Sequence, residues 1–181
     1  MTTYVALLRG INVGGRNLIK MAELKTTFEE AGFEDVRTYI QSGNVLFRAA
    51  RSSSAALERR VEAILSRRFS YRASVLLRSQ SQMRNVVEGA PRDFGANPGA
   101  YLYDVAFLKA PLTASSALKT VPTHPEVDEL FPGHGVLYFS RVASRAVQSK
   151  LNRVASLPIY QSMTIRNWNT TKKLMQLLNE L

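Results

Sequence analysis

The chain has no cysteine and only two histidines, His124 and His134. Without cysteine there can be no disulfides, no thiolate metal ligands and no cysteine nucleophile. The histidines lie ten residues apart in a Pro/Gly-rich stretch, a spacing that matches no helix-borne zinc pair. We therefore expect no metal site, and nothing in the sequence indicates a cofactor.

Long apolar runs are also missing. No stretch reaches the roughly 20 apolar residues that a membrane-spanning helix needs. The first four residues lead directly into an apolar strand, without the basic, apolar and small-residue segments of a signal peptide. We expect a cytoplasmic protein without membrane contacts.

Acidic residues are few compared with basic ones. The chain has 24 Lys and Arg against 14 Asp and Glu, a net charge of +10, and 17 of the cations are arginine. The planar fork of arginine suits bidentate binding of phosphate or carboxylate, which is compatible with an anionic partner. GC-rich codon usage, which enriches alanine and arginine, explains the bias equally well. Charge alone therefore does not assign a function.

Hydrophobic periodicity predicts the order β-α-β-β-α-β in the first half of the chain. The predicted elements are a strand at 3–9, a helix over 21–31, a hairpin of strands at 36–41 and 44–48, a helix from 54 to 69 and a strand at 72–77.

The second half repeats this order. Ser79 and Gln82 have the spacing of a capping box for a connecting helix that ends near Gly89. The elements that follow are strands at 101–109, 127–131, 136–141 and 160–166, a helix over 112–121, a helix around Val147, Leu151 and Val154, and a closing helix.

This repeat predicts an α+β protein of two ferredoxin-like (βαββαβ) subdomains that pack together, plus a C-terminal helix. The expected boundaries are 1–78 and 101–181, with a connecting helix and linker at 79–100. Aromatic residues at alternate positions of the strand at 101–109, with Tyr138, resemble the base-stacking face of an RNA-recognition domain. The Gly-aromatic pattern of such domains is absent, so an interface between the halves is the favoured interpretation.

Several runs carry a family resemblance: Ala6 to Arg16, Met21 to Leu24, Thr38 to Val45 and, later, Val105 to Leu108, Ser149 to Leu151 and Arg166 to Thr170. With these motifs the chain resembles the bacterial family called domain of unknown function 1697. The resemblance spans nearly the whole chain and implies a pair of ferredoxin-like subdomains, with no established activity. The segment Ser140 to Gln148 departs from the acidic or Gly-containing loop that the family tends to have there.

The loop after the first strand, Gly10 to Asn17, is one candidate binding site. Adjacent glycines allow a ligand to approach the backbone, and amides at a helix start favour anions. The loop matches neither a P-loop nor a dinucleotide fingerprint, and a long turn that needs positive φ explains the glycines as well. The candidate ligand-binding residues here are Arg9, Asn12, Gly14, Gly15 and Arg16.

Ser42, in the run Gln41 to Asn44, is a candidate catalytic serine by residue type alone. No histidine lies in this half to activate the hydroxyl, so a hairpin turn is the favoured interpretation. Assuming that the first and third strands run parallel, we expect Asn12 and Ser42 at opposite ends of the sheet.

The junction of the last strand and last helix is the second candidate site. Arg166, Asn167, Trp168 and Asn169 combine a cation, polar caps and a flat indole, which would suit a nucleotide or phosphorylated ring, with Lys150 as a second cation. An N-cap asparagine and a packed tryptophan are the ordinary alternatives. A further carboxylate, Asp104, alternates with apolar neighbours and is the one candidate for a raised pKa.

Three functions remain open. The first is a non-enzymatic binding module for an anionic ligand, either a nucleic acid or a phosphorylated metabolite. The second is an enzyme acting on a phosphorylated or nucleotide substrate, for which the sequence offers no credible base and no catalytic residue. The third is a protein-interaction domain. The sequence does not indicate the oligomeric state.

Overall fold

In the computed structural model, which describes residues 1–181, the chain divides into unit 1, residues 1–83 and 174–181, and unit 2, residues 84–173. Each unit contains a four-stranded antiparallel sheet with helices, so the protein is α+β. None of its helices combines the length and apolar character needed to cross a membrane. The cytoplasmic location stays a prediction.

Unit 1 has a sheet in the order β2-β3-β1-β4, with helices α1 and α2 packed on it. Apolar side chains recur on one side of each helix, and these side chains cover Val45 and Phe47 of the sheet. The elements are β1 (Thr2–Leu8), α1 (Met21–Glu30), β2 (Glu34–Tyr39), β3 (Asn44–Ala49), α2 (Ser54–Phe69), β4 (Val75–Ser79) and the start of α3 (Gln80–Glu88).

Strands β1 and β3 are antiparallel, with Leu7 opposite Asn44. The prediction that the first and third strands run parallel is therefore wrong. The last residues of β1 and the first residues of β3 therefore lie side by side at one end of the sheet, where the Leu8 amide donates to the Gly43 carbonyl at 2.8 Å. Gly43 has φ +81°, and a Cβ there would lie 2.6 Å from the side chain of Ile11. The hairpin turn therefore needs glycine at this position.

The edge strand β4 is covered by side chains of α2. Glu58 accepts from the Leu77 amide at 2.9 Å and Glu62 from the Val75 amide at 2.9 Å. One turn further, Ser66 accepts from the Ala73 amide at 3.0 Å. Residues four apart lie on one side of a helix, so these three acceptors run along the exposed edge and satisfy amides that another strand could bind.

Unit 2 has a sheet in the order β6-β7-β5-β8. The predicted capping box is present before it, because Ser79 and Gln82 exchange hydrogen bonds between side chain and amide at 2.9 and 3.3 Å. The elements after α3 are β5 (Tyr101–Leu108), α4 (Ala114–Thr120), β6 (Asp128–Gly133), β7 (Val136–Val142), β8 (Met163–Asn167) and α5 (Trp168–Asn179).

The helix predicted around Val147 is wrong. Residues 143–162 instead form three 3-10 turns, Ala143–Gln148, Lys150–Ser156 and Pro158–Ser162. Ser149 is extended, and its hydroxyl accepts from the Leu151 amide, which starts a new turn. Leu157 is extended before a proline, as steric contact with the proline ring requires.

Candidate functional site

A cavity of about 350 Å³ lies in unit 2, where β8 meets α5. It joins aromatic faces to charged and amide side chains. Its lining residues are Gly95, Pro98, Tyr101, Leu102, Tyr103, Asp104, Arg141, Asn167, Trp168, Asn169 and Lys172. A groove of about 420 Å³ in unit 1, lined by residues of α1 and α2, has no aromatic residue in its wall. We therefore treat the unit 2 cavity as the candidate site.

The aromatic wall of this cavity is held rigidly. Trp168 is 8% exposed, and its indole meets the Phe94 ring edge-to-face with centroids 5.1 Å apart. Phe94 also meets Tyr103 at 4.9 Å and Tyr138 at 5.3 Å. Gly95 lies directly against the indole, so close that a Cβ there would be 2.3 Å from it. The indole is thus fixed from two sides.

Charged groups complete the wall. Asp104 and Arg141 form an ion pair at 2.5 Å, and Arg141 also donates to the side chain of Asn152 at 3.0 Å. The Nε of Arg141 is buried without a hydrogen-bond partner. Burial raises the pKa of Asp104, against the opposing effect of the guanidinium. Lys172 is exposed, with its Nζ 5.9 Å from the centroid of the Trp168 ring.

The start of α5 contributes amide groups. Asn167 is the N-cap, because its Oδ1 accepts from the Thr170 amide at 2.7 Å. The Thr171 hydroxyl in turn donates to the Asn167 carbonyl at 3.0 Å. N–H groups in the first turn of a helix have no intrahelical acceptor and carry partial positive charge. Asn167 occupies the Thr170 amide, so the first-turn amides left for an anion are those of Trp168 and Asn169, which line the cavity together with Lys172.

The structure separates the residues predicted at this junction. Asn167, Trp168 and Asn169 line the cavity, whereas Arg166 and Lys150 do not. Arg166 is buried in β8 and donates to the Ile165 carbonyl at 2.9 Å, and burial lowers its pKa to about 10.

Lys150 belongs to a different local structure. Its main-chain amide donates to the buried carboxylate of Asp128 at 2.9 Å, and the same carboxylate oxygen accepts from the His124 amide at 2.8 Å. This carboxylate therefore fastens the chain at the beginning of a 3-10 turn. The arrangement stabilises the fold and places the exposed Lys150 outside the cavity.

In the unit 1 loop, the side chain of Asn12 forms hydrogen bonds with the backbone. Its side chain donates to the carbonyls of Ile19 and Gln41 at 3.0 Å each and accepts from the Ile19 amide at 2.8 Å. The expectation that Asn12 lies far from Ser42 is wrong, because antiparallel pairing of β1 and β3 places the loop beside the turn. Asn12 closes the loop onto the hairpin.

The rest of this loop is a tight exposed turn. Gly14 and Gly15 have φ +58° and +73°, and a bridge pairs Val13 with Arg16. Two consecutive positive φ values between paired residues are typical of a type I′ turn. The backbone conformation of this turn is therefore sufficient reason for the two glycines. Arg16 is exposed and Arg9 is half-buried, and neither lines the unit 2 cavity.

Sequence reasoning missed five residues of the cavity: Gly95, Pro98, Leu102, Arg141 and Lys172. Lys172 follows Trp168 by four positions, so helical spacing could have found it. Arg141 lies two residues from the partner of Asp104 across the β5–β7 pair, which requires the strand register. Gly95 comes from a loop, and no local pattern places it against the indole.

Comparison with known proteins gives a family and a fold. The model of the family described as "Protein of unknown function (DUF1697)" matches residues 1–138. The solved structure of the conserved bacterial protein SP0830 from Streptococcus pneumoniae is similar, with 28% identity and a TM-score of 0.84, over 98% of this chain and 98% of that one. No curated protein matches the chain.

Proposed function

Since the chain belongs to the DUF1697 family of proteins of unknown function, we propose its function from the geometry: unit 2 binds a small phosphorylated ligand that contains a flat ring, such as a nucleotide. The observation that carries the proposal is the unit 2 cavity, where the indole of Trp168, the Lys172 ammonium and the start of α5 line one space. Its volume falls within the range of small-ligand pockets.

Each half of such a ligand has a complementary group. A ring would stack on the half-buried rings of Tyr101 and Tyr103, beside the buried indole of Trp168. A phosphate would meet Lys172 and the first-turn amides of α5. The wall carries two cations, Arg141 and Lys172, against the single carboxylate of Asp104, so its net charge favours an anion.

An enzyme acting on the same class of ligand is the second candidate. It is favoured by Asp104, a carboxylate in the cavity wall whose pKa is raised by burial. The ion pair with Arg141 engages this carboxylate, and neither a second carboxylate nor a histidine lines the cavity. Binding without chemistry is therefore the better-supported function.

The single tryptophan of the chain makes the test direct, because Trp168 is in the cavity wall and its fluorescence reports on that wall alone. We expect AMP and ATP to quench it, with adenosine and inorganic phosphate weaker because each fills half of the site. Lys172→Gln should weaken binding about fivefold, the effect of losing one exposed ionic contact of about 1 kcal/mol.

Lys173→Gln is the matched control, since it removes the same charge from the adjacent residue, which does not line the cavity. Its affinity should equal that of the wild type. Equal losses in both variants would mean that only bulk charge matters. A Kd of about 10 mM corresponds to a binding free energy of only about 3 kcal/mol. If neither AMP nor ATP quenches the fluorescence at that concentration, the proposal is refuted.

We also propose that both units are ferredoxin-like and arose by duplication. In support, the strand orders β2-β3-β1-β4 and β6-β7-β5-β8 become identical when four is subtracted from the second set of numbers. Each unit also has a last strand that continues directly into a helix, at Ser79–Gln80 and at Asn167–Trp168. Superposing the two sheets should align all four strands in the same directions, and a mismatch in one strand would contradict the duplication.

A further inference from the structure

Helix α2 of unit 1 has a solvent-facing row of alanine and arginine. Ala55, Arg59, Ala63 and Arg67 are four residues apart and all are exposed. Residues at this spacing lie one above another on a helix surface. The two arginines are eight residues apart, about 12 Å along the axis. The small alanines leave space between them for a partner to approach.

The acidic residues of α2 do not neutralise this row. Glu58 and Glu62 are turned to the edge of β4, where they accept from the Leu77 and Val75 amides. Arg60 is turned to α1, where it donates to the Ala31 carbonyl at 2.6 Å. The two sides of the helix are thus committed to the fold, which leaves arginine as the charged residue of the outer face.

Five exposed arginines lie on α2 or within three residues of its ends, and we call them the arginine strip: Arg51, Arg59, Arg67, Arg68 and Arg72. Arg59 lies on the outer face of the helix, whereas Arg67 and Arg68 line the groove between α1 and α2. None of them forms an ion pair, whereas the exposed Lys25 does, with Glu29 at 3.6 Å.

The fold explains only part of the strip. Arg67 and Arg68 lie in the last turn of α2, where cations complement the helix dipole. Arg59 lies in the middle of the helix and gains nothing from the dipole, and like charges near one another cost stability. Arginine is the cation that binds phosphate through a planar fork.

We propose that the arginine strip binds the phosphodiester backbone of a nucleic acid without reading its sequence. Cations about 12 Å apart along an accessible helix reach phosphates that are not neighbours on one strand, and the alanines permit close approach. No aromatic residue lies in the row to stack on bases. This site is on unit 1 and does not depend on the unit 2 cavity or its ligand.

The test is fluorescence anisotropy with a labelled single-stranded RNA of about 20 nucleotides and a DNA duplex of the same length, at about 25 to 200 mM salt. The variant Arg59→Gln, Arg67→Gln, Arg68→Gln removes three charges of the strip. The control variant Arg37→Gln, Arg84→Gln, Arg153→Gln removes three exposed charges elsewhere. Circular dichroism and urea unfolding check that both remain folded.

The strip variant should lose at least 30-fold in affinity at the lowest salt, and the slope of log affinity against log salt should fall by about 2 to 3. The control should lose less than about threefold, since the phosphates do not contact its positions. Glu30 lines the groove that Arg67 and Arg68 also line, so Glu30→Gln should strengthen binding about twofold.

Three outcomes would overturn the proposal. Equal losses in the strip and control variants would mean that net charge alone binds the nucleic acid. No binding by the wild type to either probe at the lowest salt would remove the site. Poly-glutamate that binds as tightly as RNA and DNA would indicate an acidic protein partner. Binding of RNA but not duplex, or the reverse, supports the strip and identifies the form of backbone that it fits.

Discussion

Replacing Gly95 with alanine should destabilise unit 2 and disturb Trp168. Gly95 has φ +84°, and an added Cβ would lie 2.3 Å from the indole. The left-handed backbone costs an alanine about 1 to 2 kcal/mol. The contact adds about 1 to 3 kcal/mol of overpacking, because the buried indole cannot move without losing its contact with Phe94. We expect a total loss of about 3 kcal/mol in the free energy of unfolding.

Gly15→Ala is the matched control. Gly15 also has positive φ, +73°, but an added Cβ there would meet no atom within 4 Å. This variant should lose only the backbone contribution, about 1 to 2 kcal/mol. The difference between the two variants therefore isolates the contact between Gly95 and Trp168.

The assay is urea unfolding followed by circular dichroism for the whole chain and by tryptophan fluorescence for unit 2. Gly95→Ala should shift the Trp168 emission to longer wavelength, because a displaced indole is more exposed to water, and it should weaken nucleotide binding. Gly15→Ala should leave the emission unchanged. Equal unfolding energies and equal spectra in the two variants would show that Gly95 is present for backbone conformation alone.

Two further substitutions test single contacts. Tyr138→Phe removes a hydrogen bond of 2.6 Å to the Val86 carbonyl and should cost about 1 kcal/mol in urea unfolding. Burial raises the pKa of Tyr138 to about 12, so the wild type should lose stability as pH rises from 10 to 12, where only the unfolded tyrosine ionises, and Tyr138→Phe should lose less. Asn12→Ala should cost about 1 to 3 kcal/mol and speed hydrogen exchange of the Ile19 amide, whereas unchanged exchange would contradict the closing role of Asn12.

The elements of the fold were predictable where apolar residues recur with a single period. The helices at Met21–Glu30 and Ser54–Phe69 follow a clear stripe, and the capping box at Ser79 is a local signal that the structure confirms. The segment from 143 to 162 was not predictable in this way. Its apolar spacing resembles a helix, but Ser149 and Pro158 divide it, and the carboxylate that holds it comes from Asp128, distant in sequence.

The candidate site was predictable only in part. Asn167, Trp168 and Asn169 are adjacent in sequence, so a chemical interpretation of the motif found them together. Arg166 belongs to the same motif, but strand alternation turns its side chain into the interior, away from the cavity. Arg141 requires the pairing register of β5 and β7, which no local pattern contains.

The two strand-to-helix junctions explain why the candidate site is in unit 2. At the unit 1 junction, Ser79 and Gln82 exchange two hydrogen bonds, and the Ser79 hydroxyl also meets that of Ser81 at 3.0 Å. Each of these polar groups therefore has a hydrogen-bond partner within the junction. At the unit 2 junction one side chain, Asn167, caps the helix, and the next residue is the tryptophan that lines the cavity. In each junction the cap side chain accepts from the amide three residues further on, so the two helix starts leave the same amides without an intrahelical acceptor. The difference is the first helical residue, because Gln80 donates to the Leu178 carbonyl whereas Trp168 lines the cavity.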